Sequence, residues 1–306
     1  MDLWQDRELL LRRDLVADGW SDDELARCYR TGELSRIRRG AYVPGSAPLE
    51  PATRYRRLIT STVAGLRRDA VVSHQSAALL HGFPLWRAPL DRVHVTRRPP
   101  ASTDRSSVLH VHVAAYRDEE VHLLDGLLVT DPVRTALDLA RTQSFETAVV
   151  ALDAGLRTTL LQAALVQQRL DEIGGLRGSR AAARAVAASD RRSGSVGETR
   201  SRLLLQRLGL APTGLQYSVL GAGGTPIGWT DFVWEGHRRL GEFDGKVKYG
   251  RLLRPGQQPG DAVFDEKRRE DAMRDEGFGM TRWTWSEIDA RILGPRIRRA
   301  MDRCPR

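Results

Sequence analysis

Apolar positions along this chain switch repeatedly between a period near 3.6 and a period of two, so helices and strands alternate throughout. Residues 8–18 predict a helix stopped at Asp18-Gly19, and Ser21-Asp22-Asp23-Glu24 reads as a capping box that opens a second one. Leu25, Cys28 and Tyr29 give that helix one apolar stripe, and Thr31-Gly32 ends it. A basic ribbon follows over 34–43, carrying Arg36, Arg38 and Arg39. Helices are predicted over 52–68 and 74–81, the second capped by Ser73 and closed by Gly82. The alternating runs 93–95 and 109–113 predict strands, and Leu124-Asp125-Gly126-Leu127 predicts a tight hairpin. Asp131-Pro132 supplies a cap and a first-turn proline for a helix through Leu139. Residues 144–172 read as helical, and 174–194, rich in Ala, Arg, Gly and Ser, as a helix followed by a joint.

Beyond Ser193-Gly194-Ser195 the pattern starts afresh. Ser195-Val196-Gly197-Glu198 opens a helix to Leu208-Gly209, with Glu198 placed either as the third-position partner of a Ser195 capping box or as a functional acid. Strands follow over 216–220, 227–234 and 238–249, then a charged helix around 266–274, Gly277, and a last strand over 280–285. On the 238–249 strand the period of two puts Leu240, Glu242, Asp244, Lys246 and Lys248 on one face and Gly241, Phe243, Gly245, Val247 and Tyr249 on the other. Carboxylates at i and i+2 on a half-buried strand need partners, and a divalent cation suits them. Asp231, from the neighbouring strand, adds another. The alternative is a cross-strand ion ladder of Glu242, Asp244, Lys246 and Lys248. Trp283 and Trp285 alternate on one face of the last strand and read as core, the alternative being that one of them stacks on an unstacked base.

These elements describe an α+β multidomain chain. We divide it into a winged helix-turn-helix over 1–48, an α+β domain over 49–172, a helical joint over 173–194, and a C-terminal α/β domain over 195–306 with a central mixed sheet flanked by helices. At 306 residues there is ample length for real cores. Its formal charge of +9 comes mainly from arginine, which pairs well with phosphate oxygens, although a genome bias towards arginine codons explains the same composition. The acidic opening Asp22-Asp23-Glu24 opposes DNA at the end of the helix that would enter a groove. Alternatively, the N-terminal segment is a small module that packs against protein. No apolar run is long enough to span a bilayer, the first residues lack a signal peptide's apolar stretch, and only Cys28 and Cys304 are present; these features predict a cytoplasmic chain without disulfides or a membrane partner.

Asp231 followed by Glu242-Phe243-Asp244-Gly245-Lys246, a charged helix, and the strand ending in Trp283-Thr284-Trp285 resembles the PD-(D/E)XK nuclease signature in its Vsr-like form. The resemblance spans roughly 195–290. It implies a restriction-endonuclease-like domain that hydrolyses phosphodiester bonds with Mg²⁺ or Mn²⁺. Asp231, Glu242 and Asp244 would be metal ligands, Glu198 a further acid from the first helix, and Lys246 the group positioning the attacking water. Lys248, Lys267 and Arg269 would contact DNA. The spacing leaves two options: either Asp244-Gly245-Lys246 is the acid-x-lysine triplet and Glu242 is extra, or Glu242 is the ligand and the lysine has shifted by two.

A second likeness covers roughly 1–160. Gly32-Glu33-Leu34, Arg39-Gly40-Ala41-Tyr42-Val43, 73–82 and Val129-Thr130-Asp131-Pro132-Val133-Arg134-Thr135 are similar to AbiEi-like antitoxins of type IV abortive-infection systems. This implies a winged helix that binds DNA, with Arg36, Arg38 and Arg39 meeting phosphates, and a cognate toxin as a possible partner. Two functions therefore compete: a metal-dependent endonuclease with an antitoxin-like DNA-binding region, and a non-enzymatic antitoxin or repressor whose nuclease-like domain has lost activity. His94, His110, His112 and His122 fall on predicted strands and read as the wet side of a half-exposed sheet rather than as a metal site. Ser73 serves as a helix cap rather than as a nucleophile with His74 and His81.

Overall fold

The computed structural model describes residues 8–66, 69–245 and 259–303, apart from the side chains of 259–263. The chain forms two compact units, each drawn from two stretches: Met1–Thr147 with Ala164–Ala183, and Ala148–Ala163 with Arg184–Arg306. Together they hold mixed α and β structure with three sheets among the described residues.

In the first unit, Leu10–Leu11 is a two-residue strand, β1, rather than part of a helix. It pairs antiparallel with β3 (Ala41–Pro44), which in turn pairs with β2 (Leu34–Arg38). Helices α1 (Arg12–Ala17) and α2 (Asp22–Thr31) lie between β1 and β2 in the chain. Leu10 gains more as a strand than as a helical residue: its side chain joins Leu15, Leu25, Cys28 and Leu34 in a small core while its backbone pairs with Tyr42. Tyr29 is not in that core. It is 45% exposed, with the Arg36 guanidinium 5.4 Å from its ring centre.

The same unit contains a five-stranded mixed sheet of β4 (Val71–Val72), β5 (Val93–Arg97), β6 (Leu109–Val113), β7 (Val121–Leu124) and β8 (Leu127–Thr130), in the order β6-β5-β4-β8-β7. The Asp125-Gly126 turn joins β7 to β8 with both residues at positive φ, 50° and 76°, as a tight hairpin requires. Helix α3 (Pro51–Ala64) contributes Tyr55, Leu58 and Ile59 to a core shared with Val72, Val93, Val95, Val111 and Val129. Helices α4 (His74–Leu80) and α5 (Pro132–Thr142) complete this region, and Asp131 caps α5 by accepting from Arg134 N. The predicted helix over 144–172 is two helices, α6 (Phe145–Arg157) and α7 (Ala163–Glu172); between them Thr159 sits at φ 60°, which no helix tolerates. Helix α8 (Ser179–Ala187) follows.

The second unit is built on a four-stranded sheet with the order β12-β11-β10-β9. Its strands are β9 (Gly214–Leu220), β10 (Pro226–Trp234), β11 (Arg239–Phe243) and β12 (Gly279–Trp283). The first three form an antiparallel meander, and β12 runs parallel to β11. Helices α9 (Val196–Arg207) and α11 (Leu293–Asp302) cover one face, where Leu204, Leu205, Leu293 and Ile297 meet Phe232, Trp234, Phe243 and Trp283. Helix α10 (Pro259–Asp275) covers the other, where Met273 meets Val219, Val233 and Leu240. Alternation along β10 and β11 thus serves two cores. Trp283 is fully buried, whereas Trp285 is 38% exposed and lies beyond the strand in a 3₁₀ turn, so the two tryptophans do not share a face. No described helix is long and apolar enough to cross a membrane.

Candidate functional site

Helix α9 begins at Ser195, whose Oγ accepts from Glu198 N at 3.2 Å. The Glu198 carboxylate does not complete a capping box with Ser195. It accepts instead from Gly194 N at 2.6 Å and from Gln216 Nε2 at 2.9 Å. Gln216, on β9, has φ 48°, and its Nε2 also lies 3.4 Å from Asp231 Oδ1 on β10. Asp231 Oδ2 accepts from Phe243 N at 2.8 Å. Two acids from separate elements therefore converge on one amide. Gly197 makes this approach possible, since a Cβ there would lie 1.9 Å from Phe243 Cε1.

Asp244 follows directly, and its N–H donates to Trp283 O at 2.8 Å. Glu242 has a different environment. Its carboxylate is bound by Arg269 of α10 at 2.7 Å and by Arg282 of β12, its register partner, at 2.9 Å. Glu266 and Glu270 join the same network through Arg269 and Arg282. Burial works against charge on both arginines, but the surrounding carboxylates outweigh it and hold their pKa values above the usual range. Arg269 also donates to Trp229 O at 2.6 Å, so it acts as an internal clamp, while Lys267 on the same helix is exposed. Lys246 and Lys248 lie outside the described residues.

In the first unit one of the three acids at the start of α2 is paired with an arginine and another is used as a cap. Asp22 forms a two-pronged pair with Arg12, at 2.6 and 2.5 Å, which lowers the Asp22 pKa. Glu24 turns back onto Ser21 N and Oγ, closing the capping box expected from sequence. Arg27, Arg30, Arg36 and Arg39 are exposed. Arg38 is not available to a ligand in the same way: it is half-buried, donates to Ser61 Oγ at 3.2 Å and to Ser61 O and Arg39 O, and burial lowers its pKa.

The histidines also depart from expectation. His94, His110 and His112 do not spread over a wet face; they gather, with ligand nitrogens within 4.8 Å of one another. Among the described residues this is the one such group of three or more histidine, cysteine or acidic side chains, so the carboxylates above are not drawn together as tightly. Ser73 occupies the position before α4, but its Oγ makes no capping bond. It accepts from Thr96 Oγ1 at 2.8 Å and lies 3.0 Å from His74 Nδ1. Sequence reasoning missed Gln216, because an amide on a strand carries no charge signal, and it weighed His74 only with Ser73 and His81, since the stacking partner of His74 is 38 residues away in sequence.

No family model matches the chain. It is similar to two proteins of Mycobacterium tuberculosis, the uncharacterized proteins Rv2248 of strain H37Rv and MT2308 of strain CDC 1551 / Oshkosh. Each is 28% identical over 258 residues, covering 79% of this chain and 89% of the relative. Among solved structures, the crystal structure of RV2827C protein from M. tuberculosis aligns with a TM-score of 0.41 at 16% identity, over 71% of this chain and 85% of that one.

Proposed function

We propose that this protein acts on DNA. Its second unit hydrolyses phosphodiester bonds with Mg²⁺ or Mn²⁺, and its first unit offers a basic surface of Arg27, Arg30, Arg36 and Arg39 to the phosphate backbone. The convergence of Glu198 and Asp231 on Gln216 carries this reading: a metal site needs acids from different elements held at one place, and these two share one amide. The oxygen donors fit a hard divalent cation, with Asp244 as a third ligand. When bound, the ion polarises a phosphodiester and lowers the pKa of a water. Gln216 fixes the two carboxylates, Phe243 N orients Asp231, and Lys246 offsets charge developing at phosphorus. Lysine use supports the same region. Only three of the chain's 48 lysines and arginines are lysine, and they stand at 246, 248 and 267. A compact ammonium is retained where a chain otherwise rich in arginine would need a positioning group. Of the two spacings, Asp244-Gly245-Lys246 is favoured as the triplet, with Glu242 assigned to the arginine network.

That network favours a second reading, a non-enzymatic antitoxin or repressor that pairs with a toxin, since an acid next to the triplet is already neutralised by Arg269 and Arg282. Nicking of supercoiled plasmid by the purified protein with Mg²⁺, Mn²⁺ or EDTA separates the two. Metal-dependent nicking by wild type that Asp231→Asn and Glu198→Gln both lack supports the enzyme. Silence of the wild type, or undiminished nicking by both variants, overturns the assigned site.

A further inference from the structure

A cavity of about 640 Å³ in the first unit holds chemistry that the proposed nuclease leaves unused. Strands β5 and β6 run parallel in register, with His94 opposite His110 and Thr96 opposite His112, so three imidazoles collect at one end of the cavity. His94 Nδ1 lies 2.9 Å from His112 Nε2. Zinc bonds imidazole nitrogen at about 2.0–2.1 Å, which places tetrahedral ligand nitrogens about 3.3 Å apart. That pair is hydrogen-bonded and slightly closer than this spacing, and all three nitrogens lie within 4.8 Å, so a cation that replaces the shared proton closes the set with shifts of up to about 1.5 Å.

His110 Nε2 accepts from Arg105 Nε at 3.1 Å, so this nitrogen carries a lone pair that the exposed Arg105 can release.

Two further features point to a ligand. Gln75 is 2% exposed and lines the cavity, and its Oε1 has no hydrogen-bond partner among the described residues. A buried acceptor of this kind costs about 1–3 kcal/mol unless a donor arrives, and a metal-bound water is such a donor. His74 is buried at φ 52°, a conformation costly for a bulky residue, and stacks on His112 with 3.6 Å between ring centres and 11° between planes. The strained backbone fixes the face of a would-be ligand. Arg134, Arg141 and Arg177 line the rest of the wall, with Asp138 between the first two.

We propose that His94, His110 and His112 form a zinc site whose fourth position opens into this arginine-lined cavity and takes water or an oxyanion. Three imidazoles with an open position is a donor set suited to Zn²⁺, whereas the carboxylates of the second unit suit Mg²⁺. The two sites are therefore separable by experiment.

The test uses the full chain, stripped of metal, titrated with Co²⁺ as a visible probe and then with Zn²⁺. One equivalent of Co²⁺ is expected to give strong four- or five-coordinate absorption bands, which Zn²⁺ abolishes and inorganic phosphate perturbs. His110→Gln and His112→Gln are each expected to weaken Zn²⁺ binding by at least about 100-fold, more than the loss of an outer-sphere partner. His122→Gln and Asp231→Asn should leave it unchanged. His110 is only half-buried, so its variant is expected to fold, as a thermal melt will verify. Absence of Co²⁺ bands in wild type, or bands unaltered in both ligand variants, overturns the site; bands indifferent to phosphate overturn the oxyanion part.

Discussion

Replacing Gly197 by alanine sets two effects of known sign against each other. Gly197 is the second residue of α9, and within a helix alanine is favoured over glycine by up to about 1 kcal/mol. Propensity alone therefore predicts a more stable protein. The structure predicts the opposite, because the new Cβ would fall 1.9 Å from Phe243 Cε1 and 2.3 Å from Cδ1 and Cζ, well inside contact distance. Phe243 has little room to retreat. It is 4% exposed and sits in the core with Trp283, and Trp285 packs edge-on at 4.8 Å between ring centres. Overpacking costs about 1–3 kcal/mol, occasionally more, and an overlap this deep belongs at the upper end, so a net loss of about 2 kcal/mol is expected after the propensity gain. The overlap also lifts the start of α9, moving Glu198 off Gln216, so metal-dependent nicking should fall further than the loss of folded protein accounts for. Denaturant unfolding of Gly197→Ala, Phe243→Leu and the double variant measures both terms. The double variant should recover at least about 0.5 kcal/mol relative to the sum of the single changes. A Gly197→Ala protein as stable as wild type, with no coupling to residue 243, would refute the packing argument.

Glu242→Gln should reduce stability by loosening Arg269 and Arg282 yet retain nicking, whereas Asp231→Asn should lose nicking and keep its melting temperature within a few degrees; plasmid assays beside thermal melts separate the two. Asp153 and Arg202 form a buried pair at 2.7 Å, and Asp153 also accepts from Thr199 Oγ1 and Asp190 N, so Asp153→Ala should cost about 3–5 kcal/mol in denaturant unfolding. Arg36→Glu combined with Arg30→Glu should weaken duplex binding and flatten its salt dependence, while Arg38→Ala should mainly lower stability; fluorescence anisotropy at several salt concentrations reports the difference. Burial lowers the His81 pKa more than its hydrogen bond to Thr130 O, at 2.8 Å, raises it. Its folded pKa is thus below the ordinary histidine value of 6.5, so its contribution is complete above that pH and is lost as pH falls through the folded value. His81→Gln should make the denaturation midpoint less sensitive to acid as the pH falls below the ordinary histidine value of 6.5.

Local sequence determined much of this protein. The Ser21 capping box, the Asp131-Pro132 start of α5, the Asp125-Gly126 hairpin and the alternation through Leu240, Glu242 and Phe243 were all legible, because each depends on residues within a turn or a strand's length. What failed depended on distant partners. Leu10 became a strand because β3 offered it an edge, and Ser73 gave up its cap because Thr96 and His74 lay beside it. Glu242, Asp231 and Glu198 carry the same charge in the sequence. Only the tertiary structure placed two arginines on the first and one shared amide between the other two, because an acid's capacity to hold a ligand is set by what the fold brings within about 3–4 Å. The histidines make the same point: period-two spacing put His110 and His112 on one face, but the parallel register of β5 and β6 made them neighbours of His94.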